Sequence, residues 1–242
     1  MNRLLICTAI ALVLAAVACK REDPRVAAAT AAAQKAQQEQ AADSLAKQFE
    51  DAYAQQNWSL ARGFGDQLLM EHPQSTAAGR IKEHLDDAKA KLEADNEQRR
   101  MAALWAYQTE PVKGGNQLSA AIYAKDPVDT GGRGHNPVRL IFRDHPGWGR
   151  SSYLVLQDGD FDCYGGCKVK VSADDGAAKA MGASRPKTDE AIAMFIEDER
   201  ALWRLARSAK TLAIEFPVKA GGTRTAVFET GGLDTGKMPG WK

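Results

Sequence analysis

The stretch Asp158-Gly159-Asp160-Phe161-Asp162-Cys163-Tyr164-Gly165-Gly166-Cys167-Lys168-Val169-Lys170-Val171 decides the fold of this chain. Its last residues are a short β-like run, and its middle is dense in Gly and Asp, as a tip joining two strands requires. Three residues separate Cys163 from Cys167, and Gly165-Gly166 permits the tight backbone a bridge across so short a span needs. The pair reads as a structural disulfide that locks a hairpin tip and its register. A redox site would more usually show Cys-x-x-Cys, and a zinc site needs further ligands that are not in view.

Working outward, short apolar segments separated by turn residues recur through the C-terminal part of the chain. Residues 104–109, 118–123, 138–142, 152–157, 167–171, 212–218 and 225–230 read as strands. Residues 188–207 differ. Ile192, Phe195, Ile196, Leu202, Trp203 and Leu205 fall at near-helical spacing, and Thr188 with Asp189 and Glu190 suits a helix start. Residues 105–242 are therefore expected to form an antiparallel β-sandwich or barrel-like domain with one helix.

Upstream the period changes. Leu45, Phe49 and Tyr53 lie on one helix face, and Gln55-Gln56-Asn57 reads as a turn. Trp58, Ala61, Phe64 and Leu68 mark a second helix, stopped before Pro73. Ser75 can cap a third, with Ile81, Leu85 and Leu92 on one face. Residues 45–104 are thus a helical hairpin continued by a long helix. Residues 19–44 form an Ala/Gln-rich tether, with almost no large apolar residue to bury between positions 25 and 46. Fully helical, those 22 residues would reach about 33 Å. The class is α+β: an N-terminal helical stalk and hairpin, then the β-sandwich.

The first 18 residues read as a secretory signal. A positive head at Arg3 precedes an apolar run, residues 4–18, too short to span a bilayer, where about 20 residues are needed. The small residues Ala16-Val17-Ala18 lead to Cys19. This arrangement resembles the bacterial lipobox, which implies lipidation of Cys19 and anchoring by several acyl chains. Under the lipoprotein sorting rule, Lys20 at the next position implies the outer membrane, periplasmic face. The address is oxidising, which suits the Cys163/Cys167 pair.

Composition narrows the function. The 242 residues carry 32 Lys and Arg against 31 Asp and Glu. Without the first 18 residues only Arg3 is lost, leaving equal numbers of each sign. A neutral chain has no general pull toward nucleic acid, so no nucleic-acid partner is expected. Apolar residues at 44% and charged residues at 26% exclude wholesale disorder.

Two further resemblances bear on the folded parts. Tyr53, Trp58, Ala61, Leu68 and Pro73 resemble one tetratricopeptide-type helix pair, although Gly65 stands where that repeat carries an aromatic residue. The run Glu71-His72-Pro73-Gln74-Ser75 resembles the linker of envelope assembly lipoproteins built from such repeats. Trp105-Ala106-Tyr107, the Cys163/Cys167 pair, Phe228, Gly232-Leu233 and Trp241 resemble a small disulfide-bridged β-sandwich family of bacterial envelope and phage-encoded proteins. The invasion-associated locus B family is a more distant likeness. The resemblance implies scaffold residues, with Trp241 tucked against the sandwich, and no catalytic residues.

The remaining chemistry is sparse. Asp158, Asp160 and Asp162 alternate like a calcium loop, but Cys163 stands where an EF-hand needs Gly and Val169 where it needs Glu. They read as one face of a solvated turn. His135 and His145 lie in loop-like sequence without an obvious third ligand, so no metal is expected. Asp144-His145 near Ser151-Ser152 lacks a nucleophile elbow. Arg200, Arg204, Arg207 and Lys210 beside Trp203 give the predicted helix a basic side: a solvated face, or one that docks an acidic partner or anionic envelope polymer. Candidate binding residues are Arg133 and His135 in the Gly-rich loop and Tyr164 at the hairpin tip.

Together these readings favour an outer-membrane lipoprotein acting as a non-enzymatic periplasmic binding or scaffold module. It is held by its lipid, has an envelope protein as partner, and needs no cofactor beyond the covalent lipid at Cys19. An immunity or inhibitor lipoprotein that blocks a toxic envelope hydrolase is the alternative, and a periplasmic enzyme the third.

Overall fold

The computed structural model describes residues 23–186 and 192–241. The chain divides into two compact units, Met1–Ala90 and Lys91–Lys242. Among the described residues no helix is long and apolar enough to cross a membrane. The lipobox and Cys19 lie outside the described residues.

The first unit is helical. Helix α1 is Pro24–Ala54, α2 is Trp58–Glu71, and α3 is Thr76–Ala103, which runs on past Ala90. Pro24 opens α1, where its missing N–H costs nothing, and Asp23 caps it by accepting from Arg25 N at 2.9 Å. Gln56 takes a left-handed conformation at the expected turn, and Asn57 caps α2 through Leu60 N at 3.2 Å. The Ser75 Oγ accepts from Ala78 N at 3.1 Å, the predicted cap of α3.

Residues 25–38 are exposed, as a tether with nothing to bury should be. Packing begins at Ala42. Ala42, Ala46, Phe49 and Ala52 face Ala61 and Leu68 of α2 and Ala77, Ala78, Ile81, Leu85 and Ala88 of α3 in one core. The seam is therefore mostly alanine, which lets helix backbones approach closely. Gly65 has the same cause: a Cβ there would lie 2.6 Å from Leu85 Cδ1. An aromatic residue at that position would need the space Leu85 fills.

The second unit holds nine strands: β1 Trp105–Val112, β2 Gly115–Tyr123, β3 Val138–His145, β4 Gly149–Leu156, β5 Cys167–Ala173, β6 Lys179–Ser184, β7 Ala193–Ile196, β8 Leu212–Pro217 and β9 Thr223–Phe228. Helix α4, Glu199–Ser208, lies between β7 and β8. All pairings are antiparallel, in one sheet of order β1-β2-β3-β4-β7-β6-β5-β8-β9. The α+β class, with N-terminal helices followed by an antiparallel sheet and one helix, is as expected. The sheet curls on itself: beyond β2, Lys125 N donates to Val227 O of β9 at 2.7 Å. Strands from both halves bury their inward residues in a single core.

Aromatic rings centre that core. Phe142 meets Trp203 at 5.0 Å and Trp241 at 5.4 Å, both edge to face. Trp241 is buried, so the chain end does fold back onto the sheet. Gly232 is required by contact: a Cβ there would sit 2.2 Å from the backbone of Met101 and Ala102.

Two sequence expectations are corrected. The helix expected over 188–207 is in part a strand. Residues 187–191 lie outside the described residues, Ala193–Ile196 is β7, and helix begins only at Glu199, capped by Asp198 through Ala201 N at 3.0 Å. β7 fills the place between β4 and β6, whose facing backbone groups would otherwise be unpaired in the sheet. Within it Met194 and Ile196 point to the core and Phe195 outward onto Tyr153, ring centroids 5.0 Å apart. The sequence reading also missed β6, whose Lys-Ala-Met-Gly-Ala-Ser has no β-branched or aromatic residue.

Candidate functional site

The connection between β4 and β5, residues 157–166, carries two carboxylates that hold two separate loops. Asp158 holds the Gly-rich loop: Thr130 Oγ1 donates to its carbonyl at 2.5 Å, and Arg133 Nη2 to its Oδ1 at 2.5 Å. Between the carboxylates, Gly159 has φ +81° and passes directly under Thr130 and Gly131.

Asp160 holds the hairpin tip. Its Oδ1 accepts from Arg185 Nε at 2.9 Å and Phe161 N at 2.8 Å. Its Oδ2 accepts from Lys219 Nζ at 2.8 Å and the Tyr164 hydroxyl at 3.3 Å. The Lys219 ammonium stands 4.3 Å from the Tyr164 ring centre and the Arg185 guanidinium 5.5 Å from it. Arg185 is buried, with 5% of its side chain exposed against 21% for Asp160. Burial by itself raises the Asp160 carboxyl, but the bonds from Lys219 and Arg185 outweigh it and hold the group below the usual carboxylate range. In return Asp160 holds the Lys219 ammonium above the usual lysine range.

These bonds correct the solvated-turn reading of the three aspartates. Asp158 and Asp160 are ion-paired and half-buried, and only Asp162 is exposed. Alternation along the chain did not reveal their partners, 25 to 59 residues away in sequence.

Cys163 and Cys167 form a disulfide, with their Cα atoms 5.0 Å apart. Gly165 and Gly166 between them have φ +83° and +98°, so the turn needs the freedom the sequence provides. Closing a loop this short contributes only about 2 kcal/mol by chain entropy. The paired Cys163→Ser and Cys167→Ser variant is expected to lose that amount in a denaturant titration while still unfolding cooperatively. A loss of the whole fold would show that the bridge does more than fix one turn.

His135 lines a cleft of about 440 Å³ with residues 126–129, Thr223, Arg224, Thr225 and Val227. Arg224 ties its walls together, Nε donating to Asp129 O at 2.6 Å. His145 is elsewhere, separated from His135 by the length of β3, and closes the β3–β4 turn: its Nδ1 accepts from Gly147 N at 3.0 Å and Trp148 N at 3.1 Å. The side chains near it that invited a hydrolase reading are engaged otherwise. Ser152 Oγ, buried, donates to Ile196 O at 3.3 Å, and Ser151 Oγ accepts from Arg143 Nε at 3.2 Å.

The structure thus brings Arg133, His135 and Tyr164 to one end of the β unit and adds Arg185, Lys219 and Arg224, which the sequence reading missed. No signal marked those three; each is a single cation in loop or strand sequence. No protein-family model, curated protein or solved structure matches this chain. What the end presents is a guanidinium (Arg133, 76% exposed), a half-exposed phenol ring and a cleft, on loops fixed by ion pairs and a disulfide.

Proposed function

We propose that this chain is an envelope lipoprotein, anchored through Cys19 in the outer membrane on its periplasmic side. Its β unit is a non-enzymatic binding module for an envelope protein, using the loop end that bears Arg133, His135 and Tyr164. One observation carries the reading: Asp158 and Asp160 fasten two sequence-distant loops into one preformed surface. Preformed loops lose little entropy on binding, so a modest contact area suffices. A tether raises the local concentration of such a module near its target. The same rigidity supports the inhibitor reading, with exposed Tyr164 on a disulfide-locked tip entering the cleft of a toxic hydrolase.

The test combines anchor and surface. Cys19→Ser is expected to leave the membrane fraction or stay unprocessed, and to take up no labelled fatty acid. Photo-crosslinking from Tyr164 in cells should give one dominant adduct, reduced by about tenfold or more in Arg133→Glu, a loss equivalent to about 1.4 kcal/mol. A processed Cys19→Ser chain that stays firmly membrane-bound refutes the anchor. An adduct pattern unchanged by Arg133→Glu refutes the surface. The partner's identity separates scaffold from inhibitor: an assembly protein for the first, a hydrolase for the second.

A further inference from the structure

Arg200, Trp203, Arg204 and Arg207 stand at i, i+3, i+4 and i+7 of α4, which is one face of the helix. Arg150, the second residue of β4, lies opposite. With Trp241 these residues line a cavity of about 210 Å³. It lies beside the start of β4, at the other end of that strand from the β4–β5 connection that holds the candidate loops.

The cavity concentrates unpaired charge. Arg100, Arg133, Arg185, Lys170 and Lys219 of this unit each have a carboxylate partner. Among the described residues, none of the four cavity arginines has a hydrogen bond or ion pair from its guanidinium. The helix dipole accounts for Arg207 in the last turn of α4, since cations are favoured near a helix C-terminus. It accounts for neither Arg200, in the first turn where a cation is disfavoured, nor Arg204 in mid-helix, and Arg150 faces Asp144 across the β3–β4 ladder without forming an ion pair to it. Convergence from two elements on one small space is what an anion site requires.

The indole N–H groups of Trp203 and Trp241, the two buried residues of the lining, also have no acceptor among the described residues. Guanidinium forks match carboxylate and phosphate oxygens in pairs, and four of them favour a multiply charged oxyanion over a single carboxylate. The space is smaller than the roughly 300–1,000 Å³ of sites that enclose a whole drug-sized ligand. It suits a terminal group. We propose that this cavity binds the terminal phosphate of a phosphomonoester or pyrophosphate ligand. The inference is independent of the loop-end reading.

Such a phosphate could belong to a soluble molecule or to a lipid headgroup, and the test separates them. The full chain is titrated with inorganic pyrophosphate, followed by calorimetry and by tryptophan emission. In parallel it is floated with phosphatidylcholine vesicles, with and without phosphatidic acid. Arg204→Gln with Arg207→Gln, and separately Arg150→Gln, are expected to weaken binding about tenfold or more. Lys168→Gln, an exposed cation on β5, should change nothing. All variants should melt within about 3 °C of the wild type, because the guanidiniums replaced have no hydrogen bond or ion pair to lose and only Arg207 gives up a helix-end interaction. Saturable pyrophosphate binding lost in the arginine variants supports a soluble ligand. Arginine-dependent binding to phosphatidic acid vesicles alone supports a headgroup. Binding to neither, or binding that survives the substitutions, overturns the site.

Discussion

Asp160→Ala is expected to destabilise the β unit by about 3 kcal/mol, because removing one partner of a buried ion pair leaves the other charge desolvated. The carboxylate accepts from Arg185, Lys219, Tyr164 and the Phe161 amide. Arg185 is the costly member, since its side chain is buried. Lys219 is about half exposed, so its loss contributes little. The figure sits at the low end for buried pairs because Asp160 is itself partly exposed. The pH dependence has a definite sign. The folded carboxyl is depressed, so its stabilisation is complete above its unfolded value of about 3.9 and is lost as pH falls through the lower folded value. In urea titrations at successively lower pH, the gap between the two proteins should therefore be constant near neutrality and narrow only as pH falls below about 3.9. A wild-type-like midpoint for Asp160→Ala at neutral pH would mean that the cluster is decorative.

Gly159→Ala should cost a similar amount for a different reason. A Cβ at this position would lie 2.2 Å from Thr130 O and 2.8 Å from Gly131 N, both backbone atoms that no rotamer change can move. The left-handed φ of +81° adds about 1 kcal/mol for any residue with a Cβ, and forced overpacking adds about 1–3 kcal/mol. The sum, about 3 kcal/mol, corresponds to a fall of about 8 °C in Tm for a unit of this size. Because the clash is with the Gly-rich loop, that loop must lift from Asp158, so crosslinking that depends on Arg133 should fall too. Gly63→Ala is the opposed control. Nothing lies within 4 Å of that position in α2, and replacing a helical glycine gains up to about 1 kcal/mol. If Gly159→Ala melts like the wild type, the two loops are not fastened at this point.

Sequence by itself determined the features that arise within a few residues of one another. The turn at Gln55-Gln56-Asn57, the cap Ser75, the stop before Pro73, the bridge between Cys163 and Cys167, and the alternation of β5 are set by neighbours along the chain. So are the α+β class and the change from helical to strand texture near Trp105. Trp241 was expected to tuck against the β domain, and its ring is buried.

Only the tertiary structure decided the rest. Residues 193–196 have helix-like spacing, but the place between β4 and β6 needs backbone partners, and that need overrides a weak local preference. Ala42 looks like tether, and it becomes core because α2 and α3 come close enough to cover a methyl group. Arg185 and Lys219 carry no local mark; they matter because the curled sheet delivers both to one carboxylate. The basic stripe of α4 was visible in the sequence, but Arg150 and Trp241, which turn it into a cavity, come from other parts of the chain. The physical reason is common to all of these. Propensity, capping and periodicity act over one to four residues, whereas ion pairing and burial act through space, and distance in space is fixed only when the sheet closes on its core.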